Sequence, residues 1–167
     1  VHEATEEAMS ETQTPTIEVV LTPQEILYGA QVGILKFLET QKHKAQQRYG
    51  AKQEDRWRFT IEGALGELAV AKHLGIFWSG GRQGDEDLPG FEVRTRSRPD
   101  YDLIVHPEDR DESRFVLVTG ALGHYHLVGW ILGKDAKFDG WWKDPAGGRP
   151  AFFVPQYALR PMSEART

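Results

Sequence analysis

Along the chain, apolar positions change period in an order that predicts the elements. Residues 1–16 show neither helical nor strand spacing. They carry Glu3, Glu6, Glu7 and Glu11 without a lysine or arginine, close on Thr14-Pro15, and read as a disordered acidic arm ahead of a single domain over 17–167. Ile17 to Leu21 is short and rich in β-branched residues, as a strand requires. Thr22-Pro23-Gln24-Glu25 then supplies an N-cap, a proline at the first helical position and an acid in the first turn. The helix that follows has Ile26, Leu27, Val32, Ile34, Leu35 and Leu38 on a broad apolar side. A second helix is expected from Glu54-Asp55 to Leu74-Gly75, with Trp57, Ile61, Leu65, Leu68 and Ala71 as its core stripe.

After Gly75 the spacing becomes that of strands. Ile76 to Ser79, Tyr101 to Val105, Phe115 to Thr119 and Tyr125 to Leu132 each read as one, and Phe152 to Pro155 as a last extended piece. Phe115 to Thr119 is apolar on both faces and should be central. Between them, Pro89-Gly90 predicts a turn into a strand that alternates: Phe91, Val93 and Thr95 share one face, and Glu92, Arg94 and Arg96 the other. Two helices followed by closely connected strands predict an α/β, mixed α+β domain, with a central mixed sheet flanked by helices. No glycine-rich strand-to-helix turn is present, which argues against a dinucleotide fold. The tail holds Trp141, Trp142, Pro145, Gly147, Gly148 and Pro150, and its aromatics are expected to wrap the domain.

Composition changes this picture in three ways. The absence of cysteine rules out disulfides, thiolate metal sites and a cysteine nucleophile, and is compatible with a reducing cytoplasm. No apolar run reaches the roughly 18 residues that span a bilayer, so no membrane role is expected. The net charge of −5 opposes a basic coat over the whole chain. The acidic arm accounts for much of it, however, and leaves room for a local basic surface, with Lys42, Lys44, Arg48, Arg96 and Arg98 as nucleic-acid-binding candidates or, more plainly, solvated positions.

The chemistry-bearing residues gather around Gly84 to Thr95 (Gly-Asp-Glu-Asp-Leu-Pro-Gly-Phe-Glu-Val-Arg-Thr). Two carboxylates and a cation at one strand edge, Asp87 (or Asp85), Glu92 and Arg94, suit a divalent metal and a phosphodiester. A third acid is sought on the second helix. Glu62 has Arg58 four residues back as an ion-pair partner. Glu67 has Gly63, Ala64, Val70 and Ala71 as its helical neighbours, so a buried Glu67 needs a metal or a base from elsewhere, and otherwise sits at the wet rim. His124 and His126 share a strand face but lack an evident third ligand. Asp102 is expected to cap or pair with an arginine, and Asp109 and Asp111 form an oxygen-rich turn without the pattern of a calcium loop.

The set Glu67, Asp87 and Glu92-Val93-Arg94 resembles the motif of the PD-(D/E)XK, or restriction-endonuclease-like, nuclease superfamily. With Asp102-Leu-Ile-Val, Phe115-Val-Leu-Val, Gly129-Trp-Ile and Phe153-Val-Pro-Gln, the stretch from Asp55 to Met162 is similar to small nuclease-like proteins of tailed phages. The resemblance implies a restriction-endonuclease-like core and Mg²⁺-dependent hydrolysis of DNA, with Mn²⁺ as a substitute. Asp87 and Glu92 would be metal ligands, Glu67 the helix acid, and Arg94 the position usually held by lysine. The Asp-to-Glu spacing is shorter than usual. Arg94 can hold a phosphate but cannot accept a proton, so the implied enzyme stands beside an inactive module that binds DNA or a phage or host protein, and beside a purely structural one.

Overall fold

The computed structural model of the protein describes residues 15–42, 53–81 and 85–166. Most of the acidic arm, and Lys44 and Arg48 with it, lie outside them. The chain forms a mixed α+β fold. Its main sheet has four strands in the order β1-β5-β4-β2: β1 (Ile17–Val20), β2 (Phe91–Arg96), β4 (Arg114–Ala121) and β5 (His124–Leu132). β2 runs parallel to β4, and the other pairings are antiparallel. A second sheet joins β3 (Leu103–Val105), β7 (Ala151–Val154) and β6 (Trp142–Lys143). The strand expected over Tyr101 to Val105 therefore exists, but pairs with the tail and not with the central sheet. β4 is buried between β5 and β2, as its unbroken apolar run predicts.

The start of α1 (Pro23–Lys42) follows the predicted chemistry. The Thr22 hydroxyl accepts the Glu25 amide at 3.2 Å, and the Glu25 carboxylate accepts the Thr22 amide at 2.7 Å, a reciprocal box that satisfies two otherwise free donors. α1 lies on α2 (Gln53–Leu74), and α2 lies on the sheet. Small residues set both approaches. A methyl group on Gly33 would come within 2.7 Å of the Ile61 Cα, and one on Gly66 would overlap the Thr95 hydroxyl of β2. Ala64, Leu65, Ala69, Val70 and Ala71 of α2 are buried with Val93, Val116, Val118 and Leu127 in the larger core. On the other side of the sheet Phe115, Leu117, Val128 and Ile131 pack with Leu103, Val105, Phe152 and Val154. A bulge between Leu117 and Val118 shifts the alternation of β5 by one residue, so that Leu127 and Trp130 both join the helix-side core while Val128 and Ile131 join the other. Helices thus cover one face, and the small sheet and tail cover the other.

Three expectations are corrected. Ile76 to Ser79 is not a strand: it runs as an irregular segment against α1, where the Tyr28 hydroxyl bonds the Trp78 carbonyl at 3.3 Å and the Tyr28 and Trp78 rings meet edge to face. Gly80 continues this contact at φ +86°, held against Val32, in a conformation suited to a residue without Cβ. Trp57 is exposed, resting its ring against Phe37 at the far end of the helix pair and not in the core. Glu62 does not rely on Arg58. It accepts the Tyr125 hydroxyl at 2.6 Å and faces the Leu122 amide of the β4–β5 turn. Among the described residues no helix is long and apolar enough to cross a membrane.

Candidate functional site

The Leu88-Pro89-Gly90-Phe91 turn builds the site. Leu88 and Phe91 exchange both backbone hydrogen bonds, Pro89 presets the first corner, and Gly90 takes φ +78° at the second. Glu86 locks the turn, accepting the Gly90 amide at 2.8 Å and the Ser113 hydroxyl at 2.7 Å; these bonds hold its pKa below the ordinary carboxylate value. Asp87 comes next. Its carboxylate accepts the Val93 amide at 2.8 Å. β2 pairs with β4 on one side only, so this bond places Asp87 along the strand's outer edge. Of the acidic run Asp85 to Asp87, the turn commits Glu86 to structure and Asp87 to the edge of β2.

Two further acids respond to Asp87. Glu67, on α2, is 7% exposed. Burial first, and then the Asp87 charge, push its pKa up to about 8, against the pull of Lys36. Glu92, on β2, is pushed up to about 7 by burial and by Asp87, against the pull of Arg94. Glu67 belongs to the helix-covered side of the sheet and Glu92 to the face that alternation sends the other way, with Asp87 at the edge between them. The alternation itself holds: Phe91 and Val93 are buried, while Glu92, Arg94 and Arg96 are half-buried.

Cations hold each acid in place. Lys36 of α1 donates to both Glu67 oxygens, at 2.8 and 2.7 Å, and the Trp78 indole adds a third bond at 3.1 Å. Arg94 reaches Glu92 at 3.5 Å and Asp109 at 3.1 Å, with its guanidinium 5.0 Å from the Phe115 ring centre. Asp109 also accepts the His106 amide at 2.8 Å. The acidic turn at 106–112 is therefore the clamp for Arg94, and Lys137 fixes it in turn by binding the Asp109 carbonyl and the Asp111 carboxylate, both at 2.6 Å.

Sequence reasoning missed Lys36 and Trp78. Lys36 carried a signal: it shares a helix face with Tyr28 and Val32, so a lone lysine and a lone glutamate stood on two packed surfaces. The remaining candidates sit apart. Arg96 and Arg98 flank the Tyr101 ring, 4.4 and 5.1 Å from its centre, and Arg98 is paired with Asp100. Asp102 acts on Arg96 through its charge. Lys42 is exposed at the end of α1. His124 and His126 are exposed on β5 opposite Val20 and Glu18.

An open cleft of about 600 Å³ lies beside the cluster, lined by Phe77, Ser79, Gly81, Asp87, Pro89 and Arg110 among others. Among the described residues no three Asp, Glu or His side chains are gathered into a group that could hold a metal ion. Each of the three acids has a donor within the protein: Lys36 for Glu67, the Val93 amide for Asp87 and Arg94 for Glu92. No protein-family model matches the chain, and no curated protein or solved structure matches it.

Proposed function

We propose that the protein is a Mg²⁺-dependent nuclease that hydrolyses DNA phosphodiester bonds, with Glu67, Asp87 and Glu92 as its acid set. One observation carries the reading: after burial, the Asp87 charge is what raises the pKa of both Glu67 and Glu92, so acids from a helix, a turn and a strand share one electrostatic neighbourhood. Crowded, part-buried carboxylates cost folding free energy and are characteristic of sites where a cation or a reaction relieves them. Their oxygens are the hard donors that Mg²⁺ prefers, and the resemblance to PD-(D/E)XK nucleases assigns Asp87 and Glu92 as its ligands. Bound there, Mg²⁺ would supply charge neutralisation and polarisation of water.

The chain's own residues divide the other work. Glu67 adds negative charge from the helix side. Arg94 steadies Glu92 and, always protonated, cannot act as a base. Arg96 and Arg98, further along the same strand and turn, offer positive charge to a nucleic-acid backbone. A second reading, an inactive module that binds DNA, draws on the clamping of Arg94 between Glu92 and Asp109, which leaves it little freedom to meet a phosphate.

Cleavage of plasmid and oligonucleotide DNA in Mg²⁺ or Mn²⁺ separates the two. The nuclease reading expects cutting by wild type, its loss in Glu92→Ala, and its retention or increase in Arg94→Lys. Wild type that binds DNA without cutting, and Arg94→Lys that gains cutting, would mark a lapsed nuclease. Folded variants that cut nothing in either metal would end the catalytic reading.

A further inference from the structure

α1 lies on α2 at the outside of the fold, and it is apolar on both sides. Toward α2 it presents Gly29 and Gly33, where a methyl group would come within 2.6 Å of Leu65 and 2.7 Å of Ile61, and its Ile26 and Val32 pack against the larger core. On its open side Leu27 is 62% exposed, Leu35 60%, Leu38 47% and Tyr28 43%. A helix at the surface of a domain turns polar groups outward, and one that is apolar on every side belongs in an interior. Four large side chains left about half open form an apolar patch on the order of 300–400 Å², a size at which a patch marks a contact surface. From Ile26 to Leu35 the helix carries no charged residue.

The stretches of chain outside the described residues do not carry the side chains to cover this face. Residues 1–14 offer Val1 and Met9, the latter among Glu6, Glu7 and Glu11; residues 43–52 offer Tyr49 among Lys44, Arg48 and Lys52; residues 82–84 offer none. The spacing along the face points to what does. Leu27 stands four positions before Gln31 and Leu35 four after it, while Gln24 stands seven before and Leu38 seven after. All five are exposed, so the face turned end for end matches itself.

We propose that α1 is the interface of a homodimer in which two copies pair antiparallel about a two-fold axis at Gln31. Leu27 of each copy meets Leu35 of the other, and Gln24 covers Leu38. The Gln31 amides, each both donor and acceptor, bond one another at the axis, so the polar group at the centre is satisfied. The uncharged middle sets no like charges against each other. At the ends, Lys42 in the last turn of one α1 is carried toward the acidic first turn of the other, which holds Glu25. The helix has 20 residues and so is about 30 Å long. Two such faces with their polar rims approach the roughly 800 Å² per partner of a standard interface, only part of it apolar, and the dimer should dissociate in the micromolar range.

The chain has no cysteine, so a single introduced one reports the register. In the full chain, Gln31→Cys places two thiols across the axis, within the Cα separation of about 7 Å that a disulfide spans, and mild oxidation should give a covalent dimer. Gln24→Cys places them ~21 Å apart along the helices and should not. Sedimentation velocity of the unmodified protein over about 1–200 µM should show a concentration-dependent passage from monomer to dimer. Leu27→Glu and Leu35→Glu each act twice per dimer and should each raise its dissociation constant at least about tenfold. Both side chains are mostly exposed, so the monomers should stay folded. A wild-type protein that remains monomeric at the highest concentration would overturn the proposal, whether or not lipid vesicles or another protein bind the leucine face. So would a dimer that Leu27→Glu and Leu35→Glu leave intact, or one in which Gln31→Cys fails to cross-link. A dimer through α1 goes beyond the nuclease reading and stands apart from it, since none of these readouts involves DNA or a metal.

Discussion

Replacing Glu67 by glutamine isolates the electrostatic cost at the centre of the cluster. Glutamine keeps the side chain's shape and an oxygen that can accept from Lys36 or Trp78, but it cannot ionise. In the native protein burial and Asp87 raise the Glu67 pKa from 4.5 to about 8. The folded chain therefore holds this proton more tightly than the unfolded chain does. Its contribution to stability is complete below the unfolded value of 4.5 and is lost as the pH rises through about 8. The full shift corresponds to a ceiling of about 5 kcal/mol, and a realised change of about 2–4 kcal/mol is expected once the surroundings relax. At roughly 2–4 °C per kcal/mol for a domain of this size, the change is easily measured. Urea titrations of wild type and Glu67→Gln at steps from about pH 5 to about pH 9 give the comparison. Titrations shared by the two proteins cancel in their difference. The variant should gain stability relative to wild type as pH rises across this window. Parallel curves would show that Glu67 is not raised. A variant that instead loses ground with rising pH would show that the Lys36 ion pair outweighs burial and Asp87, reversing the sign of the argument.

Two other outcomes test the scaffold and the surface. Gly66→Ala pushes a methyl group into Thr95 at the α2–β2 contact and should cost about 1–3 kcal/mol in urea denaturation, with partial recovery when Thr95→Ala is added. Equal costs with and without the second change would show that the helix moves aside freely. Arg96→Ala and Arg98→Ala should each weaken DNA binding and reduce the salt slope of log affinity by about one, whereas binding that does not respond to salt would remove the arginine pair at Tyr101 from the interface.

Local signals in the sequence were read correctly where neighbouring residues decide the outcome. The Thr22 to Glu25 cap, the Pro89-Gly90 turn, the alternation of β2 and the buried run of β4 all depend on residues within a few positions of one another. The errors lie where a distant segment decides. Ile76 to Ser79 has a strand's composition, but Tyr28 and Val32 of α1 hold it out of the sheet. Arg58 was the right distance from Glu62 along the helix, yet the Tyr125 hydroxyl and the Leu122 amide took that acid. Leu103 to Val105 was legible as a strand, but nothing nearby specified that its partner would be Phe152 to Val154, some fifty positions later.

The candidate site divides along the same line, and the division explains its architecture. Asp87 and Glu92 are close in sequence and were visible together, because one turn carries the chain from the edge of β2 into β2 itself. Glu67 was visible only as a carboxylate without a local partner. What makes it part of the site is the pair of close approaches that glycine permits: α2 onto Thr95 through Gly66, and α1 onto α2 through Gly33. The first seats α2 on β2, the strand whose edge carries Asp87, and the second seats α1 closely enough for Lys36 to bind both Glu67 oxygens. The acid cluster is thus a consequence of tight helix packing as much as of acidic residues. Widening either contact should release Glu67 toward an ordinary carboxylate acidity and weaken its coupling to Asp87 before any of the acids is itself replaced.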